Sequence, residues 1–287
     1  MIVRDALSRG EWLLTSEGGL PSDEARREAT LLLSEVLERN RAWLLAHHDE
    51  RLPPAACRQF EAWIARRAAG EPVAHILGKR AFWTLELKVT PDTLIPRPET
   101  ELLVEAALEK GPQGEARVLD LGTGTGAIAC ALAKERAQWQ VMAVEASDSA
   151  RHVAEDNVQA LGLADRVEVR ASDWFGAIEL RPAFDLIVSN PPYIEAEDPH
   201  LRQGDVRFEP RSALVAGVDG LEDIRHIMGQ APRYLKAGGW LILEHGWNQR
   251  AAVRALFDHS VWDAVETRKD YAGHDRITLG QLKRPMS

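Results

Sequence analysis

From Glu99 onward, short apolar runs and stretches of helical periodicity take turns, and this alternation constrains the fold more than any other feature of the 287 residues. Helical spacing over 102–108, 128–133 and 150–160 is interleaved with strand-like runs at 117–121, 140–144, 167–169, 186–189 and 240–244. Strands joined by helical crossovers run parallel, with helices covering both faces of the sheet. The last two runs, 261–267 and 276–279, lie too close together for another crossover and are expected to close the sheet as an antiparallel hairpin. The expected fold class is α/β: a Rossmann-like, mostly parallel seven-stranded sheet with an antiparallel terminal hairpin.

The first 75 residues have a different pattern. Ser22 is placed to cap a helix in which Ala25, Ala29, Leu32 or Leu33, and Val36 recur at helical spacing, and Pro53 to open another that buries Phe60, Trp63 and Ile64. A small helical bundle follows from this. Gly70-Glu71-Pro72 and Gly78 break it, and 81–89 then reads as extended, with alternation in Leu85-Glu86-Leu87-Lys88-Val89. The expected division is an N-terminal helical domain over 1–75, a β-hairpin linker over 76–98 and a catalytic domain over 99–287.

Charge and cysteine usage narrow the function classes. The net charge is −9, and residues 1–80 are balanced, so the whole acidic excess falls in the remainder. An acidic half that size argues against non-specific attachment to nucleic acid, which works by neutralising phosphates. No run approaches the ~18 apolar residues of a membrane span, and Arg4 and Asp5 stand where a secretory signal would be apolar. A cytoplasmic protein with no membrane contact is expected. Cys57 and Cys130 lack CxxC spacing and read as buried free thiols, and His47-His48 reads as solvated. No metal site is expected. The absence of a heptad or an apolar stripe points to a monomer.

Four features then bear on chemistry. Asp120-Leu121-Gly122-Thr123-Gly124-Thr125-Gly126 follows a strand and opens a helix, where glycines let a ligand approach backbone N–H groups. The spacing is G-x-G-x-G with an acidic residue ahead of it. A carboxylate there would repel a pyrophosphate and could pair with an ammonium group, which favours an amino-acid-bearing nucleoside over NAD or ATP. Glu145 ends the next strand, 25 residues after Asp120, where a carboxylate can accept from both ribose hydroxyls. Asp173 and Trp174 follow the third strand, placed to accept from an adenine amino group and to pack on its ring.

The fourth, Asn190-Pro191-Pro192-Tyr193, closes the apolar run 184–189. Two prolines remove competing N–H donors, leaving carbonyls and an amide side chain beside an aromatic face. This is a cradle for a planar NH2 group. An amide nitrogen is a poor nucleophile because its lone pair is delocalised. A site can still hold both its N–H bonds, one on the Asn190 side-chain oxygen and one on the Pro191 carbonyl, with Tyr193 stacked on the plane.

The order glycine loop, acidic strand end, Asp-Trp, Asn-Pro-Pro-Tyr resembles the class I S-adenosylmethionine-dependent methyltransferases. More narrowly, the chain resembles the HemK/PrmC family of protein N5-glutamine methyltransferases, through Pro72-Val-Ala-His-Ile-Leu-Gly78, Phe82-Trp83, Leu94-Ile-Pro-Arg-Pro-Glu-Thr-Glu101, Phe208-Glu-Pro210 with Ala213-Leu214, Asp219-Gly-Leu221 and Lys269-Asp-Tyr-Ala-Gly-His-Asp-Arg276. The likeness extends over nearly the whole chain. It implies methylation of the glutamine side-chain nitrogen in the Gly-Gly-Gln motif of class 1 peptide chain release factors, with S-adenosyl-L-methionine as donor, S-adenosyl-L-homocysteine as product and no nucleic acid required. Carried onto this sequence, Asp120, Gly122 to Gly126, Glu145, Asp173, Trp174 and Asn190 would meet the cofactor, Asn190 to Tyr193 the glutamine, and the helical part would grip the release factor. Glu145 stands where the family pattern has Asp, His75 where it has Tyr, and His245 where it has an aliphatic residue. The rival readings are a glutamine methyltransferase of a large-subunit ribosomal protein and an exocyclic amino methyltransferase of DNA or RNA.

Overall fold

In the computed structural model, which describes residues 1–284, apolar side chains at helical spacing draw the first 78 residues into α1 (Val3–Ser16), α2 (Ser22–Leu37), α3 (Arg41–Ala46), α4 (Pro54–Ala68) and α5 (Val73–Leu77). Their common core includes Leu14, Ala29, Leu33, Phe60, Ile64 and Ile76. Ser22 does not cap α2. Pro21 holds the extended backbone that a cap position needs, Ser22 is already helical, and its hydroxyl donates to Glu11 Oε1 at 2.9 Å. Pro53 does precede a helix, with Pro54 as its first residue, where a missing N–H costs nothing. Residues 202–208 pack with this helical unit: the buried Arg67 guanidinium donates to Glu28 at 2.6 Å and to Asp205 at 3.1 Å.

The second unit runs from Lys79 to Leu201 and from Glu209 onward. It opens with an antiparallel hairpin, β1 (Lys79–Phe82) and β2 (Leu85–Lys88), in which Leu85 and Leu87 are buried and Glu86 and Lys88 exposed. There follow α6 (Glu101–Lys110), β3 (Ala116–Leu121), α7 (Ala127–Glu135), β4 (Trp139–Glu145), α8 (Asp148–Ala160), β5 (Val167–Ala171), β6 (Phe184–Ser189), α9 (Glu222–Gln230), β7 (Leu235–Glu244), α10 (Arg250–Leu256), β8 (Trp262–Lys269) and β9 (Asp275–Leu282). Asn157 on α8 fastens the hairpin by accepting from Lys88 N at 2.7 Å and donating to Lys88 O at 3.0 Å.

The seven-stranded sheet has the order β5-β4-β3-β6-β7-β9-β8, parallel except where β9 pairs with its two neighbours. Its central strands are buried on both faces over most of their length and so read as largely apolar runs. On β3, Ala116 and Val118 pack with α6, α7 and α8, while Leu119 and Leu121 pack with α9 and α10 on the opposite face. Helix α9, α10 and the 3-10 turns over 199–213 are not anticipated by the alternation pattern, and α9 contributes to the site.

The chain departs from β3 in both directions: β4 and β5 build outward on one side, β6 and β7 on the other. A sheet of this kind opens a crevice beyond the carboxyl ends of the strands where its order reverses. Leu121 at the end of β3 lies in register with Ser189 at the end of β6, and Ser189 Oγ donates to Leu121 O at 2.7 Å. The glycine loop and the Asn-Pro-Pro-Tyr segment leave the sheet side by side for this reason.

Candidate active site

Beyond β3 the loop turns sharply, with Gly122 and Gly126 at φ +68° and +81°. Residues with a Cβ rarely adopt such angles. A Cβ on Gly122 would lie 3.4 Å from the Trp174 ring and one on Gly126 3.4 Å from Ala154 of α8, ordinary contact distances, so the backbone angle and not space is what calls for glycine here. Asp120, fully buried, accepts from the Thr123 hydroxyl at 2.6 Å and stands behind the loop, off the cavity wall.

Glu145 closes β4 and braces the other side. One carboxylate oxygen accepts from Gly124 N and the other from Ser147 N, each at 3.0 Å. A carboxylate has about four acceptor positions, so two remain for ligand hydroxyls. Trp174 has φ +47°, a left-handed angle unusual for a bulky residue. Ser172 holds that turn by donating to Trp174 O at 2.8 Å and accepting from Ala177 N at 3.0 Å. The Trp174 side chain is hydrogen-bonded to Asp223 of α9, whose carboxyl is pushed up by burial and by the neighbouring Glu222.

These elements enclose a cavity of about 310 Å³. Gly122, Thr123, Gly124, Thr125, Glu145, Asp173, Trp174, Asn190 and Pro192 line it; Asp120 and Gly126 do not, nor do Pro191 and Tyr193, chain neighbours of the lining residues Asn190 and Pro192. Four carboxylates, of Asp92, Glu145, Asp173 and Asp223, face it together with the guanidinium of Arg97, which is engaged by Glu209 at 2.5 Å. Such a wall accepts hydrogen bonds and favours positive charge, and it would repel a phosphate. The donor set thus fits S-adenosylmethionine, with its sulfonium, ammonium, ribose hydroxyls and adenine amino group. Among the described residues no group of three His, Cys, Asp or Glu side chains is arranged to hold a metal ion.

At the end of β6, Asn190 Nδ2 donates to Thr100 Oγ1 at 3.1 Å, which leaves Oδ1 as the acceptor. Tyr193 turns its hydroxyl to Glu244 Oε1 at 3.3 Å, and Gln249 Nε2 donates to the Tyr193 carbonyl at 2.9 Å. Two further segments help wall this cavity: Leu94, Pro96 and Arg97, and Pro210, Ser212 and Ala213. Glu209 ties these walls together by accepting from Ile95 N at 2.8 Å as well as from Arg97. Thr100, Glu209, Asp223 and Glu244 have no role in the site on sequence reasoning, although Thr100 and Glu209 lie within the segments 94–101 and 208–210 that carry the family resemblance and Glu244 is an acid ending an apolar run.

His245, the departure next to it, is buried with Nδ1 on Gly246 O and Nε2 on Thr278 Oγ1, both at 2.9 Å, and burial lowers its pKa. It packs as a neutral ring. Cys130 is buried, its thiol pushed up to about 12, whereas Cys57 is only partly covered, a correction to its reading as buried.

Burial raises both Asp120 and Glu244 to about 7. Each lies above its unfolded value, so the native state holds more protons than the unfolded chain between about pH 4 and 7. Stability from these groups is full below about pH 4 and is lost as pH rises through about 7. The melting temperature of the ligand-free protein should therefore fall between pH 5 and 8, and Asp120→Asn should flatten part of that slope. An unchanged slope in the variant would contradict the burial of an ionisable group there.

The sheet order, the glycine loop at its switch point and the acidic wall define a class I S-adenosylmethionine-dependent methyltransferase. The PrmC N-terminal domain family matches residues 5–78 and the methyltransferase small domain family residues 98–205. The release factor glutamine methyltransferase of Pseudomonas aeruginosa is 54% identical over 93% of this chain and 97% of its own length, and that of Escherichia coli K12 is 48% identical over 94% and 97%. The chain belongs to the release factor glutamine methyltransferase family. Among solved structures, a methyltransferase from Pyrococcus furiosus has a TM-score of 0.53 at 20% identity, covering 76% of this chain and 96% of that one. The hMettl16 catalytic domain, in complex with an RNA hairpin, has a TM-score of 0.57 at 15% identity, covering 82% and 84%; both are likenesses of fold. No helix among the described residues is long and apolar enough to cross a membrane.

Proposed function

We propose that this chain methylates the side-chain nitrogen of the glutamine in the Gly-Gly-Gln motif of class 1 peptide chain release factors, acting as a monomer in the cytoplasm without nucleic acid. The observation that carries this reading is the placement of Asn190 on the wall of an acid-lined cavity with its amide nitrogen already engaged by Thr100. Its oxygen is left to accept one N–H of a carboxamide, and the Pro191 carbonyl, which no following N–H contests, accepts the other.

When bound, S-adenosylmethionine supplies a methyl group activated by its sulfonium. Glu145 would hold the ribose, Asp173 the adenine amino group, and Trp174 the adenine face, with the loop 122–126 giving the backbone close access. Asp120 acts through Thr123, fixing the loop from behind. Asn190 and Pro191 fix the carboxamide plane, so the nitrogen is presented in one orientation and its weak nucleophilicity is offset by positioning. Tyr193, tied at both its hydroxyl and its carbonyl, stiffens the cradle. Two glycines beside the target suit a narrow slot, since only thin backbone reaches its floor. We assign residues 1–75 to recognition of the rest of the release factor and 76–98 to the connection into the catalytic part.

Labelled S-adenosylmethionine incubated with the protein and a release factor, a ribosomal protein or DNA tests this, with the label mapped by mass spectrometry. One methyl on the Gly-Gly-Gln glutamine is expected. Label confined to the ribosomal protein or DNA would overturn it.

A further inference from the structure

Proline rings set φ at 191 and 192 and remove the backbone N–H groups there, so the Asn190-Pro191-Pro192-Tyr193 segment has no donors in its middle and is held at its ends. Upstream, Ser189 donates to Leu121 O at 2.7 Å and pairs with Leu243. Downstream, Ile194 N donates to Leu214 O at 2.8 Å and Ala216 N to Ile194 O at 3.0 Å, which lays the chain after Tyr193 alongside 214–216. Those residues continue the segment that contributes Ala213 to the cavity wall. The Tyr193 carbonyl lies at this junction. A Cβ on Gly220, at φ +69°, would come within 2.3 Å of its oxygen, so the strip 214–220 passes directly against it.

Gln249, 8% exposed, reaches the junction from the turn before α10. Its Oε1 accepts from Gly246 N at 2.8 Å, and its Nε2 donates to Tyr193 O at 2.9 Å and to Gly220 O at 3.2 Å. Every partner is a backbone group of fixed polarity, an N–H that only donates and two carbonyls that only accept. The amide therefore has one orientation, and its oxygen and both N–H bonds are engaged. We propose that Gln249 is a positioning residue for methyl transfer, a clamp that fixes the downstream end of the carboxamide cradle to the strip 214–220 and so holds Asn190 and the Pro191 carbonyl at the spacing one carboxamide nitrogen requires. The clamp deepens the proposed function and rests on it.

Gln249→Met keeps the volume but none of the three hydrogen bonds. Gly220→Ala keeps Gln249 and drives a methyl against the Tyr193 carbonyl at 2.3 Å and Gln249 Nε2 at 2.8 Å. Both should lower kcat about 30-fold, inside the roughly 100-fold that a misplacement of about 1 Å costs. KM for the release factor and the dissociation constant of S-adenosylhomocysteine should each stay within about threefold of the parent, because the Glu145 brace and the Arg97–Glu209 tie are untouched. The cross-peak linking Ile194 N–H to the Tyr193 carbonyl carbon reads the clamp without turnover. In the ligand-free protein that carbon should move upfield in Gln249→Met, and in the parent a through-hydrogen-bond coupling should join it to Gln249 Nε2. If Gln249→Met does not fold, the parental coupling and Gly220→Ala decide. A parental kcat in either variant, S-adenosylhomocysteine affinity lost as far as kcat, an unmoved Tyr193 carbonyl resonance in Gln249→Met, or no coupling in the parent would each overturn the clamp. Failure of the unsubstituted protein to methylate a release factor would instead overturn the proposed function, while the Tyr193 resonance would still decide whether the clamp is made.

Discussion

Asn190→Ala is expected to lower kcat by about 100-fold or more while S-adenosylhomocysteine binds within about threefold of the parent, because the loss falls on orientation of the amide. The side chain has one working atom in this account. Its nitrogen is spent on Thr100 at 3.1 Å, and Oδ1 is the acceptor that keeps the substrate nitrogen from rotating out of line. Truncation also leaves Thr100 without that donor, yet the cofactor wall formed by the loop 122–126, Glu145 and Trp174 is untouched. Initial rates at saturating cofactor, with calorimetry for binding, separate the two effects. A parental kcat would remove Asn190 from the reaction, and a large loss of binding with kcat intact would reassign it to the cofactor alone.

The second large effect is expected at Glu209, the middle residue of Phe208-Glu-Pro210, outside the cofactor and amide motifs. Its side chain is fully buried and accepts from Ile95 N at 2.8 Å and Arg97 at 2.5 Å, joining the two walls of the slot. Glu209→Ala strands a backbone donor and a guanidinium. Loss of a buried pair costs about 3–5 kcal/mol, but the Arg97 side chain is 30% exposed and water recovers part of this. A loss of about 2–3 kcal/mol is expected on these grounds, lowering the melting temperature by roughly 4–12 °C. Because the walls splay while the cofactor loop does not, KM for the release factor should rise about tenfold, with S-adenosylhomocysteine binding little changed. Glu209→Gln, which keeps an acceptor for Ile95, should lie between the two in both measurements. A release factor KM unaffected by Glu209→Ala would show that the pair does not shape the slot.

The parallel core is legible in the sequence because strands buried on both faces are largely apolar, as β3, β4, β6 and the end of β7 are despite Arg117, Asp120, Gln140 and Asp185 within them. Residues of the site that sit at strand ends or on the glycine loop are legible for the same reason: the strand fixes where the chain emerges. What is not legible arises from pairing. That Asn190 meets Thr100 and lies level with Glu244 depends on the register of β6 against β7 and on where α6 starts, neither of which is written locally. Asp223 belongs to α9, whose Ile224, Ile227 and Met228 recur at helical spacing, but only the fold brings its first turn to Trp174. Ser22 shows the limit of local rules as well: a serine before an apolar periodic run has the form of a cap, but the proline ahead of it takes that position. Asp120 is recognisable as an acid before a glycine loop, whereas its withdrawal behind the loop follows from the depth of β3 in the sheet.

Crystals of the protein with S-adenosylhomocysteine and a Gly-Gly-Gln peptide provide the most direct measurement. The glutamine carboxamide nitrogen is expected within about 3 Å of both Asn190 Oδ1 and the Pro191 carbonyl oxygen, the range of a direct hydrogen bond, with its free face toward the cofactor sulfur. A carboxamide bound elsewhere, or an Asn190 amide turned with its nitrogen toward the peptide, would contradict the account.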